Sequence, residues 1–355
     1  MKFELTPSEL KKIIEIIKTS YQNIDVANFY NEYLNNYYDQ IDESTILKGN
    51  EEGSFYRSLI DCLGIEDDDK EFNEIEEKYH LEKMTLLDVR KYLNNPYYKN
   101  IQIIPTKNKK WTLGYNHYLP YEGFVYDDTT IEGPNYKEIT HFGFFNQKFE
   151  FIEVKQNQKT WMSITPHEIN TMEDPINNAK GHVLVYGLGL GYFPYMCSLK
   201  DEVSKITIVE NSKDAIELFK NEIFNKFQYK NKIEIIEADA LKFAKDHIKS
   251  SEYDFVFTDL WHDANDGLSI YLKMKRLENK NAMNSYWIET TLKAMLRRLI
   301  ITVIEEGLNN LDDSAYQNAS NDYDRLINEI YFKTKNRILR KASDLNSIEE
   351  EIIIG

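Results

Sequence analysis

The segment "DLWHDAND", residues 259–266, gathers three carboxylates and one imidazole within eight positions. Asp259 directly follows the apolar run "YDFVFT", so its carboxylate stands at a strand end, where it can orient a substrate or take its proton. His262 suits a general base near neutral pH. The same residues also have a structural use, as a polar loop capping the next helix with Trp261 packed beneath it. No metal is expected, because neighbours at i and i+1 on a loop seldom converge on one ion.

Upstream, "VLVYGLGLGY" places Gly187, Gly189 and Gly191 at every second position, in a chain with only 14 glycines. Glycine costs backbone entropy, so the clustering implies positive φ or a close approach by another group. Tyr192 stands where G-x-G-x-x-G needs its third glycine, so the nicotinamide pattern is not met. Two more carboxylates sit at strand ends. Glu210 closes "KITIVE" 19 residues after Gly191, near the spacing of about 20 at which an acid accepts from ribose hydroxyls. Asp239 follows "KIEIIEA", where it can accept from an adenine amine. Three acids in order on consecutive strands after a glycine loop point to an adenosine-type ligand.

The elements that must position these residues alternate. "HVLVYG", "KITIVE", "KIEIIEA" and "YDFVFTDL" are apolar strands, each followed by a helical stretch. Strands buried on both faces and joined by helical crossovers predict a parallel, doubly wound α/β sheet. Before it, residues 101–165 carry short β-branched and aromatic runs ("IQIIP", "KKWTLGY", "EGFVYDD", "HFGFF", "KFEFIEV") that predict a small antiparallel β domain. Residues 1–100 predict helices, the first opening at "TPSEL" with Thr6 as N-cap, Pro7 at N1 and Glu9 closing a capping box, others near Ala27–Tyr38, Phe55–Leu63 and Leu86–Leu93. "TPHEI" at Thr165–Ile169 repeats that signature. The domain reading is therefore 1–100, 101–165, 166–308 and a helical tail 309–355. "RRLIITVI" is the one stretch after Gly267 that could be a further strand.

This set of residues resembles the class I S-adenosylmethionine-dependent methyltransferase fold, a Rossmann-like sheet, and within it the spermidine synthase-like branch. "VLVYGLGLG" carries the likeness, because apolar Val185 stands where most methyltransferases have an acid and the polyamine synthases do not. The resemblance, which covers roughly Phe142 to Gly267, implies S-adenosylmethionine as cofactor. Gly187, Gly189 and Gly191 would wrap its methionine end, Glu210 would hold the ribose, and Asp239, followed by Ala240, would face the adenine. Spermidine synthases carry a D-[ST]-[ST]-D-P motif after the fourth strand. Here Asp259 matches its first aspartate, His262 replaces the second, and no proline follows. The expectation is a methyltransferase acting on a small or medium acceptor through Asp259 and His262. The alternatives are aminopropyl transfer and a degenerate S-adenosylmethionine-binding assembly protein. The fold's usual fifth strand and terminal hairpin are not evident after Gly267. "NNPYYKN", residues 94–100, lacks the second proline of the Asn-Pro-Pro-Tyr signature of adenine-amino methyltransferases and reads as a helix stop and turn.

Charge narrows the partners. At −16 over 355 residues the chain should be repelled by phosphate backbones, and its one basic run, "KTKNRILRK", has no stacking aromatic and reads as a solvated helix face. No window nears the roughly 20 apolar residues that span a bilayer. Cys62 and Cys197 lie far apart, and the charged N-terminus lacks the core of a secretory signal, so a cytoplasmic protein is expected, with a homodimer as an option.

Overall fold

The computed structural model describes residues 1–38, 40–62, 64, 84–108, 110–247, 249–311 and 313–355. The acidic stretch "EDDDKEFNEIEEK", residues 66–78, lies outside them. The protein is a mixed α/β molecule built on a five-stranded parallel sheet.

That sheet comprises β1 (Gly181–Tyr186), β2 (Val203–Glu210), β3 (Ile233–Glu237), β4 (Phe255–Thr258) and β5 (Met283–Tyr286), in the order β3-β2-β1-β4-β5 with every pair parallel. The chain thus winds from β1 outward in both directions. This opens a crevice outside the carboxyl ends of β1 and β4, where ligands of such sheets bind. The runs that predicted β1 to β4 are nearly wholly buried in β1 and β4. β5 escaped the sequence reading because it is a four-residue edge strand, "MNSY", with two polar positions and an exposed Met283. No antiparallel hairpin extends the sheet beyond β5 among the described residues.

"RRLIITVI" is not a strand. It lies inside the 20-residue helix Glu289–Leu308, whose buried Leu292, Leu296, Leu299, Val303 and Ile304 recur at helical spacing. The basic run also differs from a simple helix face. Its helix ends at Thr334, Ile338–Leu339 pairs with Lys2–Phe3, and Lys333, Lys335, Arg337 and Arg340 each face a carboxylate.

The N-terminal segment opens with one 30-residue helix, Pro7–Asn36, where two shorter ones were predicted. Thr6 accepts from the Glu9 N–H at 3.3 Å, but the Glu9 carboxylate turns to Lys12 and the Ala342 N–H, so the box closes on one side only. This helix and Glu51–Cys62 pack their Tyr30, Tyr33, Phe55 and Leu59 against Phe142 and Phe144. Of the predicted helix Leu86–Leu93, only Val89–Leu93 is helical; Thr85–Leu86 joins the β region as a parallel strand beside Phe142–Phe144. The β region holds a four-stranded antiparallel sheet ending in the hairpin Phe149–Gln156 to Lys159–Ser163, while "IQIIP" has no strand structure. That hairpin carries a bulge between Thr160 and Met162, which turns its end toward the sheet's glycine loop.

Candidate functional site

All three loop glycines have positive φ: +97° at Gly187, +51° at Gly189 and +73° at Gly191. Their surroundings differ. A Cβ on Gly187 would lie 1.9 Å from the Asp259 carbonyl oxygen, and one on Gly189 would meet the Met162 sulfur at 2.1 Å. One on Gly191 would strike the Phe219 ring. Gly187 and Gly189 line a cavity of about 390 Å³, whereas Gly191 serves the packing under Phe219 and Phe227.

The loop amides are engaged. Leu188 N–H donates to Glu210 Oε2 at 3.3 Å and Leu190 N–H to the Met162 thioether at 3.1 Å. Glu210 also accepts from Ser212 N–H at 2.7 Å, which fixes its carboxylate across the loop; further lone pairs are left for a ligand hydroxyl. Behind the loop stands "NNPYYKN", which is more than a stop and turn. Tyr97 Oη donates to the Leu190 carbonyl at 2.7 Å and Asn95 donates to Tyr192 Oη at 2.8 Å. These bonds hold the glycine loop from outside, and nothing in the sequence pattern announced them.

Of the two residues expected to face an adenine, Ala240 lines the cavity and Asp239 does not. Asp239 is exposed and its Oδ1 accepts from Lys242 N–H at 2.8 Å, capping the helix Ala240–His247. The acidic loop divides in the same way. Asp263 and Asp266 form a capping box on the helix Ala264–Lys275. Trp261 is buried over Gly267, with its indole N–H unpartnered at the cavity wall. His262 is exposed at the cavity mouth, hydrogen-bonded through Nδ1 to Asp266 at 2.9 Å and edge-on to Trp161. Asp259 alone of the loop's carboxylates faces the cavity.

Its companion is Glu168, which the sequence assigned to a capping box. Thr165 makes no cap bond, and Glu168 is instead 8% exposed, lines the cavity, and has no hydrogen-bond partner for Oε2. Burial pushes Asp259 up to about 7, and burial together with the Asp259 charge pushes Glu168 well above the carboxylate range. The two act as an acid pair that retains a proton near neutrality. The folded chain therefore binds protons that the unfolded chain has lost above about pH 4. Stability from this pair is present in acid and falls as pH rises from about 4 through 7. Thermal unfolding between pH 4 and 8 should show that decline, and Asp259→Asn should flatten it. An unchanged slope would mean that the pair is not coupled to folding.

The cavity walls hold three carboxyl groups, Glu168, Glu210 and Asp259, and no Lys or Arg among the described residues. No group of three or more His, Cys, Asp or Glu among the described residues could hold a metal ion. No helix is long and apolar enough to cross a membrane.

No protein-family model matches the chain, and no curated protein matches it. Among solved structures, the spermidine synthase from Thermotoga maritima aligns with a TM-score of 0.32 and 14% identity, over 45% of this chain and 65% of that one. The chain thus spans less than two thirds of that enzyme, and an overlap of this depth carries no activity across.

Proposed function

We propose that the chain is a transferase on a Rossmann-like, methyltransferase-type sheet, moving an aminopropyl group from decarboxylated S-adenosylmethionine to an amine. The observation that carries this is the charge of the cavity: three carboxyl groups without a lysine or arginine. S-adenosylmethionine would bring a carboxylate into that wall with no lysine or arginine to meet it, whereas the decarboxylated form brings only its sulfonium and ammonium. Desolvating an unpaired carboxylate beside like charge costs several kcal/mol, enough to decide between the two.

Each residue then has a task. Glu210 accepts from the ribose hydroxyls, and Ala240 flanks the base. Trp161 and Trp261 wall the sulfonium. Bound there, the sulfonium supplies a weak carbon–sulfur bond whose electron pair stays on sulfur as a neutral thioether when an amine attacks the adjoining methylene. The attacking nitrogen reaches the site as an ammonium and must shed a proton. Asp259, with Glu168 sharing the charge, accepts it, and an apparent pKa near 7 suits that role. His262, tied to Asp266, flanks the mouth and can pass the proton to solvent.

Methyl transfer from S-adenosylmethionine is the second reading. It is favoured by the replacement of the second motif aspartate by His262 and by the missing proline. Calorimetric titration of both nucleosides, of 5′-methylthioadenosine and of NAD, repeated on Glu210→Ala, separates the readings. The decarboxylated ligand should bind at least about tenfold tighter than S-adenosylmethionine, a gap of about 1.4 kcal/mol. The opposite order would restore methyl transfer, and no binding at all would leave an assembly role.

A further inference from the structure

We infer that the acceptor is an amphipathic amine, an ammonium head on a bulky apolar or aromatic body, held in a second cavity that meets the first at Glu168. The fate of that amine rests on the transferase reading; its binding rests on the cavity itself. This second space is about 1030 Å³ and shares Ser163, Glu168, His262 and Trp287 with the first. Glu168 thus borders both, and its buried, unpartnered Oε2 offers an ammonium an acceptor at the junction.

Size and wall chemistry define the body. Cavities of about 300–1,000 Å³ bury drug-sized ligands, so a short linear diamine would leave most of this one empty. Leu34 from the N-terminal helix, Tyr118 and Phe124 from the β region, and Trp287 and Met295 from the sheet side supply apolar and aromatic wall. Aromatic faces also favour a nearby cation.

Charge excludes the opposite ligand class. Arg298 is the one Lys or Arg among the described lining residues, and its guanidinium is bonded to Glu138, with Nε at 2.8 Å from Oε1. His167 is held neutral, pushed down to about 4 by burial. Asp127, Glu122 and Asp263 add acidic wall. A phosphate- or carboxylate-bearing acceptor finds no open lysine or arginine among the described lining residues.

The test is calorimetry on the full chain with tryptamine, putrescine, spermidine and indole-3-acetate, each with and without 5′-methylthioadenosine. Tryptamine should bind at least about tenfold tighter than either aliphatic amine, and indole-3-acetate should not bind. Ala27→Trp, which fills the wall of the N-terminal helix, should weaken tryptamine about tenfold and leave 5′-methylthioadenosine unchanged; Asn31→Trp, at an exposed position of the same wall, repeats the test should Ala27→Trp fail to fold. Tighter binding of putrescine or spermidine, or tryptamine affinity unmoved by the filling variants, overturns the inference. Tryptamine binding without nucleoside binding would sink the transferase reading while leaving the amine site standing.

Discussion

Asp259→Asn should lower the transfer rate by about two to four orders of magnitude, the range ascribed to one general base. The asparagine keeps the shape of the side chain and leaves the Asp259 carbonyl against Gly187, so the glycine loop should hold. What is lost is the proposed proton acceptor and one of the two acids proposed to meet an ammonium. Donor affinity should fall far less than turnover, because Glu210, the residue proposed to hold the ribose, is untouched. The rise of kcat/KM with pH near 7 should vanish together with the group that causes it.

Glu168→Gln completes this prediction. Because the two acids share a proton, neither acts independently, and the double variant should be little worse than Asp259→Asn alone. Glu168→Gln should also stabilise the fold at neutral pH, since a buried, unpartnered carboxyl is replaced by a neutral amide. Equal turnover in wild type and Asp259→Asn would remove the carboxyl pair from the chemistry. Full additivity would show two separate roles.

The carboxyl pair also marks how far the sequence could be read. β1 to β4 and the strand-end placement of Glu210 and Asp259 were legible because buried parallel strands are continuous apolar runs, and their carboxyl ends face one edge. Asp239 follows a strand by the same rule, but a strand-end aspartate is equally a helix cap, and its Oδ1 accepts from Lys242 N–H. Glu168 was hidden by a capping signature that local sequence satisfies but tertiary packing overrides, and burial beside a second acid leaves no local trace. β5 was too short and too polar to show a period. "RRLIITVI" reads as a strand over eight residues and as a helix only over the twenty of Glu289–Leu308. Met162 was equally out of reach, because its seat on the Leu190 amide depends on a bulge in a hairpin that pairing alone creates.

Gly187→Ala should be the most damaging single methyl in the sheet. At φ +97° an alanine is strained whatever surrounds it, which alone costs about 1–3 kcal/mol. The added Cβ would sit 1.9 Å from the Asp259 carbonyl oxygen, which is main chain and cannot swing aside. The loop cannot retreat either, because Gly187 N–H donates to Val209 and Asp259 N–H to Tyr186, at 3.0 and 2.9 Å, tying β1 to both neighbours. The sheet must therefore part between β1 and β4, across the floor of the crevice. Gly133 provides the control. It also has positive φ, +66°, but a Cβ there meets nothing within 4 Å. Gly133→Ala should register only the conformational cost, about 1 kcal/mol, and keep nucleoside binding. Gly187→Ala should lose at least about 3 kcal/mol in chemical denaturation, and its folded fraction should bind no nucleoside. If the two variants unfold at the same denaturant concentration, the glycine loop does not press on Asp259. The crevice would then lack the rigid floor on which the carboxyl pair depends.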